Sequence, residues 1–245
     1  MVSDPLTPST LYAGTGIGVY KSTDGGNRWT ASITGLSLSV RALAIDPLTP
    51  STLYAGANGV TIYKSTDAGS SWTAFNNGLP TSARYREAAQ IFTLAIDPNI
   101  PSNLYAGTHL GVYKSTDGGN NWTAISKGLP TDISNSITYT SPIFIIAIDP
   151  LTPSTLYAGT SGAGVYKSTD RGASWAAMNN GLGDLFVDTL AVDPLTPSTL
   201  YAGTSNGVYI FAGDTINGGG GSGGGGSGNH SGSSGSECFI TTVSP

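Results

Sequence analysis

Cysteine is nearly missing from this sequence: Cys238 is the one such residue in 245, so no disulfide can form within the chain. Charge is scarce as well. Asp, Glu, Lys and Arg make up 10% of the residues, and the stock of Glu, Lys and Arg that long amphipathic helices draw on is absent. No cluster of basic residues exceeds the Arg84/Arg86 pair, and the formal net charge is -5. That excludes the basic stripe of a nucleic-acid binder. No apolar run reaches the roughly 18 residues that a membrane-spanning helix needs. Met1-Val2-Ser3-Asp4-Pro5 has neither the charged nor the apolar region of a signal peptide. The chain opens inside a repeat, so Met1 is not taken as the native start.

What is abundant is turn chemistry. Gly numbers 35 and Pro 14, which suits many short strands joined by tight turns. The string DPLTPSTLYAG begins at Asp4, Asp46, Asp149 and Asp193, and a looser copy, DPNIPSNLYAG, begins at Asp97. Successive starts lie 42, 51, 52 and 44 residues apart, a spacing in or just above the range for four-stranded propeller blades.

Each unit divides into four short segments. The first is a continuous apolar run ending in Asp-Pro, such as Ala42-Leu43-Ala44-Ile45 or Ile145-Ile146-Ala147-Ile148, and reads as an innermost strand buried on both faces. The second is Thr10-Leu11-Tyr12-Ala13-Gly14 and its copies. The third, Gly18-Val19-Tyr20-Lys21-Ser22 and its copies, alternates as a half-buried strand does. The fourth opens at Trp29, Trp72, Trp122 and Trp175.

Between the third and fourth segments stands S-x-D-x-G-x-x-W, four times. The copies are Ser22, Asp24, Gly26 and Trp29; Ser65, Asp67, Gly69 and Trp72; Ser115, Asp117, Gly119 and Trp122; and Ser168, Asp170, Gly172 and Trp175. Serine and aspartate side chains can bond the turn's own amides, and glycine supplies a positive φ. The tryptophan is expected to bury its ring between neighbouring blades. These four motifs resemble Asp-box (BNR) repeats, as found in sialidases, xyloglucanase-type glycoside hydrolases, sortilin-like receptors and photosystem assembly propellers. The resemblance spans about residues 4–212. It implies an all-β propeller of four-stranded antiparallel blades, on the cell surface of a bacterium or outside the cell.

Five second and five third strands are visible, but only four first and four fourth strands; Met1-Val2-Ser3 is the one possible remnant of the missing inner strand. The first and last of the five units are therefore expected to be incomplete. The alternatives are a five-bladed ring closed by face contacts alone and a fragment of a larger ring. The fragment is preferred, because an open arc leaves blade faces in water. The propeller is assigned residues 1–214, a flexible Gly/Ser-rich linker 215–236, and a tail 237–245. Cys238-Phe239-Ile240-Thr241-Thr242 resembles a C-terminal segment of some bacterial secreted or surface proteins, without the Ala-Ala-Tyr-Gly that follows it there. A disordered tail with an incidental cysteine is the alternative.

Residues that recur in every unit are explained by the blade, and chemistry belongs to what is left. That remainder is small: His109, Arg41, Arg84, Tyr85, Arg86, Glu87, Lys127, Asp132, Tyr139, Asp184, Asp188, Asp214 and scattered Asn. Two enlarged loops hold half of it. Residues 78–92 contain Arg84, Tyr85, Arg86 and Glu87, and residues 128–144 contain Asp132 and Tyr139. They lie in consecutive units, on the face opposite the S-x-D-x-G-x-x-W turns, and loops on a rigid scaffold carry specificity. Arg84 and Arg86 are the expected anion or carbonyl contacts, Tyr85 and Tyr139 the stacking platforms. A plain solvated loop is the bland alternative.

A glycosidase needs two carboxyls about 5–9.5 Å apart. Glu87, Asp132, Asp184 and Asp188 are the candidates, and nothing in the sequence pairs any two; Asp184 and Asp188 read more simply as turn or cap residues. A sialidase needs three arginines from separate blades, whereas Arg84 and Arg86 share one loop and only Arg41 lies elsewhere near that face. His109 and His230 stand alone, without metal-ligand spacing; no metal or cofactor is expected. The repeated Asp-Pro acids are expected to accept backbone hydrogen bonds in turns. The reading is a non-catalytic extracellular module that binds a glycan or a protein. A partial or degraded xyloglucanase-like or sialidase-like hydrolase is the alternative.

Overall fold

The computed structural model describes residues 1–37, 39–80, 90–134, 137–212 and 215–217, with 132–134, 137–139 and 215–217 described by their backbone alone. The four segments of each unit form an antiparallel sheet in sequence order. The first sheet is β1 (Val2–Ser3), β2 (Leu11–Thr15), β3 (Gly18–Ser22) and β4 (Thr30–Ser32). The second is β5 (Val40–Ile45), β6 (Leu53–Ala57), β7 (Thr61–Ser65) and β8 (Thr73–Ala74). The third is β9 (Ile91–Ile96), β10 (Leu104–Thr108), β11 (Gly111–Ser115) and β12 (Thr123–Ala124). A separate hairpin, β13 (Thr131–Ser134) and β14 (Ile137–Thr140), precedes the fourth sheet. That sheet is β15 (Ile143–Ile148), β16 (Leu156–Thr160), β17 (Val165–Ser168) and β18 (Ala176–Ala177), and the fifth is β19 (Val187–Val192), β20 (Thr199–Thr204), β21 (Gly207–Ala212) and β22 (Thr215–Asn217). Among the described residues no helix is long and apolar enough to cross a membrane.

The strand count corrects the sequence expectation. Val2-Ser3 pairs with Tyr12 and Leu11 and is the inner strand of the first sheet. Thr215–Asn217 pairs with Ala212 to Ile210 and is the outer strand of the fifth, three residues into the segment assigned to the linker. All five sheets therefore have four strands.

The inner strands stand side by side, β1 on β5, β5 on β9, β9 on β15 and β15 on β19. The molecule is a propeller arc of five blades with its inner strands around the axis. Each pair of consecutive sheets buries one apolar cluster. Tyr12 and Val19 of the first sheet meet Leu43, Leu53, Ala55 and Trp72 of the second. Tyr54 and Ile62 meet Leu104, Ala106 and Trp122 at the next joint. Tyr105 and Val112 meet Leu156, Ala158 and Trp175 at the third, and Tyr157 and Val165 meet Leu200, Ala202 and Phe211 at the last.

Hydrogen bonds fix the register of these joints. The amide of Trp72 donates to the Thr34 carbonyl, that of Trp122 to Asn77 and that of Trp175 to Lys127, each 2.9 Å away in the preceding blade. Their indole Nε1 atoms donate to the carbonyls of Ser32 (3.0 Å), Phe75 (3.2 Å) and Ile125 (2.8 Å). In return the Tyr12 and Lys21 side chains both donate to the Ala68 carbonyl, and those of Tyr54 and Lys64 to the Gly118 carbonyl. Burial, then the nearby Asp46 carboxylate, pushes the Tyr54 hydroxyl up to about 12, so it stays a donor. Truncating an aromatic ring buried in this way costs about 3–5 kcal/mol.

Trp72, Trp122 and Trp175 are 4%, 3% and 5% exposed, but Trp29 is 38% exposed. The expectation that all four rings lie between blades is corrected at this one. Trp29 belongs to the first sheet, and no described blade precedes it. The fifth sheet lacks both motif and tryptophan. Phe211 occupies the register position of the motif serine, opposite Leu200 as Ser168 is opposite Leu156, and its ring is fully buried in the last cluster. The first and fifth sheets form no such joint among the described residues, so the arc is open.

Candidate functional site

The two ends of each blade are chemically different. At one end the S-x-D-x-G-x-x-W turn locks itself. The Ser65 hydroxyl donates to Asp67 Oδ1 (2.7 Å) and accepts from the Gly69 amide (2.9 Å), while Asp67 accepts from the Ser71 amide and hydroxyl. Asp24, Asp117 and Asp170 each accept from the motif serine and from one amide in the same way. The Gly26 amide donates to the Ser22 hydroxyl at 2.9 Å, Gly119 to Ser115 at 2.9 Å and Gly172 to Ser168 at 2.8 Å. The backbone turns through positive φ at all four motif glycines: +94° at Gly26, +83° at Gly69, +91° at Gly119 and +85° at Gly172. Gly26, Gly119 and Gly172 are therefore parts of the turn, at the end of the blade away from the enlarged loops.

Bonds from the Ser71 hydroxyl and amide, then from the Ser65 hydroxyl, hold the Asp67 carboxyl down at about 2. Ser174 and Ser168 do the same for Asp170. The neighbouring Asp-Pro turns sit at this end, where the amides of Gly25, Ala68, Gly118 and Arg171 donate to Ser9, Ser51, Ser102 and Ser154. Their aspartates accept two backbone amides each, as from Leu48 and Thr49 onto Asp46. These acids are spent on the fold.

The other end carries the loops between second and third strands and those between consecutive blades. Asn58 donates its amide to Ser39, His109 to Gln90 and Ser161 to Pro142, tying the two kinds of loop together. His109 occupies a turn there. Both enlarged loops open on this end. Arg84, Tyr85, Arg86 and Glu87 lie outside the described residues. Asp132 and Tyr139 are register partners across the hairpin β13–β14, so the second enlarged loop is a ribbon that places these two positions opposite each other; their side chains lie outside the described residues. The feet of the two loops meet: the rings of Phe92 and Phe144 pack edge to face, 5.1 Å apart at 73°.

Those two phenylalanines belong to a column that the sequence reading missed. Where the inner strands of the second to fifth sheets begin, the pairing slips by one residue. Arg41 is left out between Val40 and Ala42, Phe92 between Ile91 and Thr93, Phe144 between Ile143 and Ile145, and Asp188 between Val187 and Thr189. A β-bulge of this kind re-aims one side chain and is over-represented beside binding sites. Because the inner strands surround the axis, the four residues stand around it at the rim of the loop end: cation, ring, ring, anion. The signal was present as the second residue of the aligned strings VRALAI, IFTLAI, IFIIAI and VDTLAV. It was hidden because a bulge is a property of two strands.

The fifth blade adds an apolar corner. Leu185 and Phe186 are exposed on its short entry loop. Asp184, at the start of that loop, is a turn residue: it accepts the Phe186 amide at 2.9 Å and the Ser205 hydroxyl. The Ser205 hydroxyl first and the Phe186 amide second pull its carboxyl below the usual range. That is the wrong direction for a general acid, which must hold its proton near neutral pH. Among the described residues no three His, Cys, Asp or Glu side chains gather as metal ligands.

No family model and no curated protein matches the sequence. Solved structures do match. An ancestral GH74 enzyme superposes with a TM-score of 0.66 at 24% identity, over 88% of this chain and 30% of its own length. The GH74 enzyme of Niastella koreensis gives 0.63 at 27% identity, over 86% of this chain and 35% of that one. The extracellular domain of BT4673 from B. thetaiotaomicron gives 0.63 at 21%, over 85% and 26%. The chain thus spans about a third of the length of these proteins, and the likeness is one of propeller architecture.

Proposed function

We propose that this chain is a non-catalytic, extracellular Asp-box propeller that binds a glycan or a protein at its loop end. The observation that carries this reading is the bulge column. The bulged inner strands present Arg41, Phe92, Phe144 and Asp188 around the axis, at the end of the blades that carries the enlarged loops. Aromatic faces stack on the apolar faces of sugars or on ligand side chains. A guanidinium and a carboxylate on either side supply directed hydrogen bonds. Arg84, Tyr85, Arg86, Glu87, Asp132 and Tyr139 are assigned to the walls of the same site. The S-x-D-x-G-x-x-W residues, Gly26, Gly69, Gly119 and Gly172 among them, are assigned to the fold alone. The extracellular setting rests on the resemblance of the motifs and on the likeness to the extracellular domain of BT4673.

A glycan array and a pull-down screen identify the ligand. Phe92→Ala and Phe144→Ala are then expected to weaken its binding about tenfold or more, as truncation of a central aromatic contact does. Unaltered affinity in both variants would remove the bulge column from the site. The hydrolase alternative is supported by the GH74 neighbours and predicts turnover of β-glucan or sialoside substrates. Turnover lost in Glu87→Gln or Asp132→Asn would replace binding by catalysis.

A further inference from the structure

We propose that the end of the blades opposite the enlarged loops is a second docking surface, and that it takes a protein segment apolar on one side and rich in lysine or arginine. This is independent of what the loop end binds. Each inner strand leads into an Asp-Pro turn at this end, and each turn holds an aliphatic side chain in solvent. In the middle three blades these are Leu48, Ile100 and Leu151, 65%, 44% and 68% exposed. Each of those blades is flanked by another on both sides, and none of the three residues joins an apolar cluster between blades. Leu6 and Leu195 hold the same position in the first and fifth blades. The turns are built alike. The amides of Leu48, Ile100 and Leu151 donate to Oδ1 of Asp46, Asp97 and Asp149, at 2.9, 3.1 and 2.9 Å. The amides of Thr52, Asn103 and Thr155 close the turns onto the carbonyls of Thr49, Ile100 and Thr152 at 2.8 Å. This backbone does not require a leucine: the third turn carries Asn99 where its sisters carry Leu48 and Leu151. That same turn has Ile100 in place of the next threonine, so it too presents an aliphatic side chain. Groups held on a rigid frame lose little freedom when a partner arrives.

Carboxylates stand outward of these side chains. The motif turns lie next to the Asp-Pro turns, tied to them by the amide bonds from Ala68 to Ser51, Gly118 to Ser102 and Arg171 to Ser154. They carry Asp67, Asp117 and Asp170, all exposed. Hydrogen bonds from Asn121, then Ser115, hold the Asp117 carboxyl below the usual range, as serine bonds hold Asp67 and Asp170. All three are therefore anionic at neutral pH. Cations at this end turn mostly to the protein itself. Lys64 and Lys114 donate to the carbonyls of Gly118 and Arg171 in the next blade. Lys167 lies 5.8 Å over the Tyr157 ring, and Arg171 is 3.9 Å from the buried Asp97 carboxylate. Arg28, on the first blade, is exposed. An apolar centre within a polar rim is the anatomy of a protein interface, and the charge of the rim selects the partner. Two copies of this chain meeting at these ends would set carboxylates against carboxylates. An anionic lipid surface is repelled in the same way, and a neutral one leaves the carboxylates without counter-charge. A basic, amphipathic protein segment satisfies both parts of the surface.

Fluorescence anisotropy with two labelled amphipathic helical peptides of one pattern, leucine with lysine and leucine with glutamate, tests this on the whole chain. The lysine peptide is expected to bind, more weakly as salt is raised, and the glutamate peptide is not. Combining Leu48→Ser, Ile100→Ser and Leu151→Ser alters exposed side chains, so the far-UV signal and urea midpoint are kept. The dissociation constant for the lysine peptide is expected to rise about tenfold or more, as when interface anchors are lost. Ile17→Ser removes an aliphatic side chain, 72% exposed at the loop end, and leaves that constant unchanged. Absence of binding overturns the proposal. So does equal binding of the two peptides, or an affinity that the triple variant retains. Vesicles of phosphatidylcholine, alone and with phosphatidylglycerol, and sedimentation of the chain by itself complete the test. Vesicle binding or self-association that the triple variant abolishes gives the surface to a lipid or to a second copy, and overturns the proposal as well.

Discussion

A carboxylate that accepts hydrogen bonds from its own turn is a structural anion, and its charge has a folding consequence. Asp67 is exposed, yet the Ser71 and Ser65 groups bring its pKa down to about 2, against about 3.9 in an unfolded chain. A depressed folded value means that its contribution is present above the unfolded value and is lost as pH falls through the folded one. The urea midpoint of the protein is therefore expected to exceed that of Asp67→Asn at pH above about 4 and to converge on it toward about 2; a gap that persists at the acid end refutes this assignment. The repeated residues were legible at this scale because each acts locally: serine, aspartate and glycine complete a turn within about five positions. Trp29 was not, since it carries the same motif as Trp72, whose burial comes from the blade packed against it.

Strands and loops were legible where their own residues declare them. The apolar inner runs and the alternating third strands fold as read. Val2–Ser3 was legible only as a possible remnant and Thr215–Asn217 was assigned to the linker, because strands of two or three residues carry no periodicity and owe their existence to a waiting neighbour. The hairpin β13–β14 was read as loop for a related reason: a polar stretch without periodicity pairs with itself and joins none of the five blade sheets. Joints between elements are tightest where a glycine precedes a blade. At Gly78, with φ +85°, an added Cβ would lie 2.0 Å from the Trp122 carbonyl oxygen. Gly78→Ala is expected to cost about 2–5 kcal/mol, combining the left-handed backbone with displacement of a packed neighbour. Gly16→Ala, with nothing within 4 Å of its Cβ, serves as the control. Urea denaturation of the two variants measures the difference, and equal midpoints would contradict the close approach.

At the scale of the whole molecule, the main contacts between blades among the described residues run between sequence neighbours, so stability is close to a sum of blade and joint contributions. The first and fifth sheets have one joint each, the middle three have two. Amides of β2 and β21 are accordingly expected to exchange with solvent faster than those of β6, β10 and β16 in dilute protein, as read by hydrogen-exchange mass spectrometry; uniform protection across the five sheets would contradict an open arc. Architecture at this scale was written in the repeat. The candidate site was legible only as loop position, because its bulged column arises from a mismatch between partners. That mismatch leaves Arg41, Phe92, Phe144 and Asp188 outside the ladder of their sheets. Four such different side chains occupy equivalent posts on the same frame, so the chemistry of the rim varies from blade to blade while the pairing on either side of each bulge is kept.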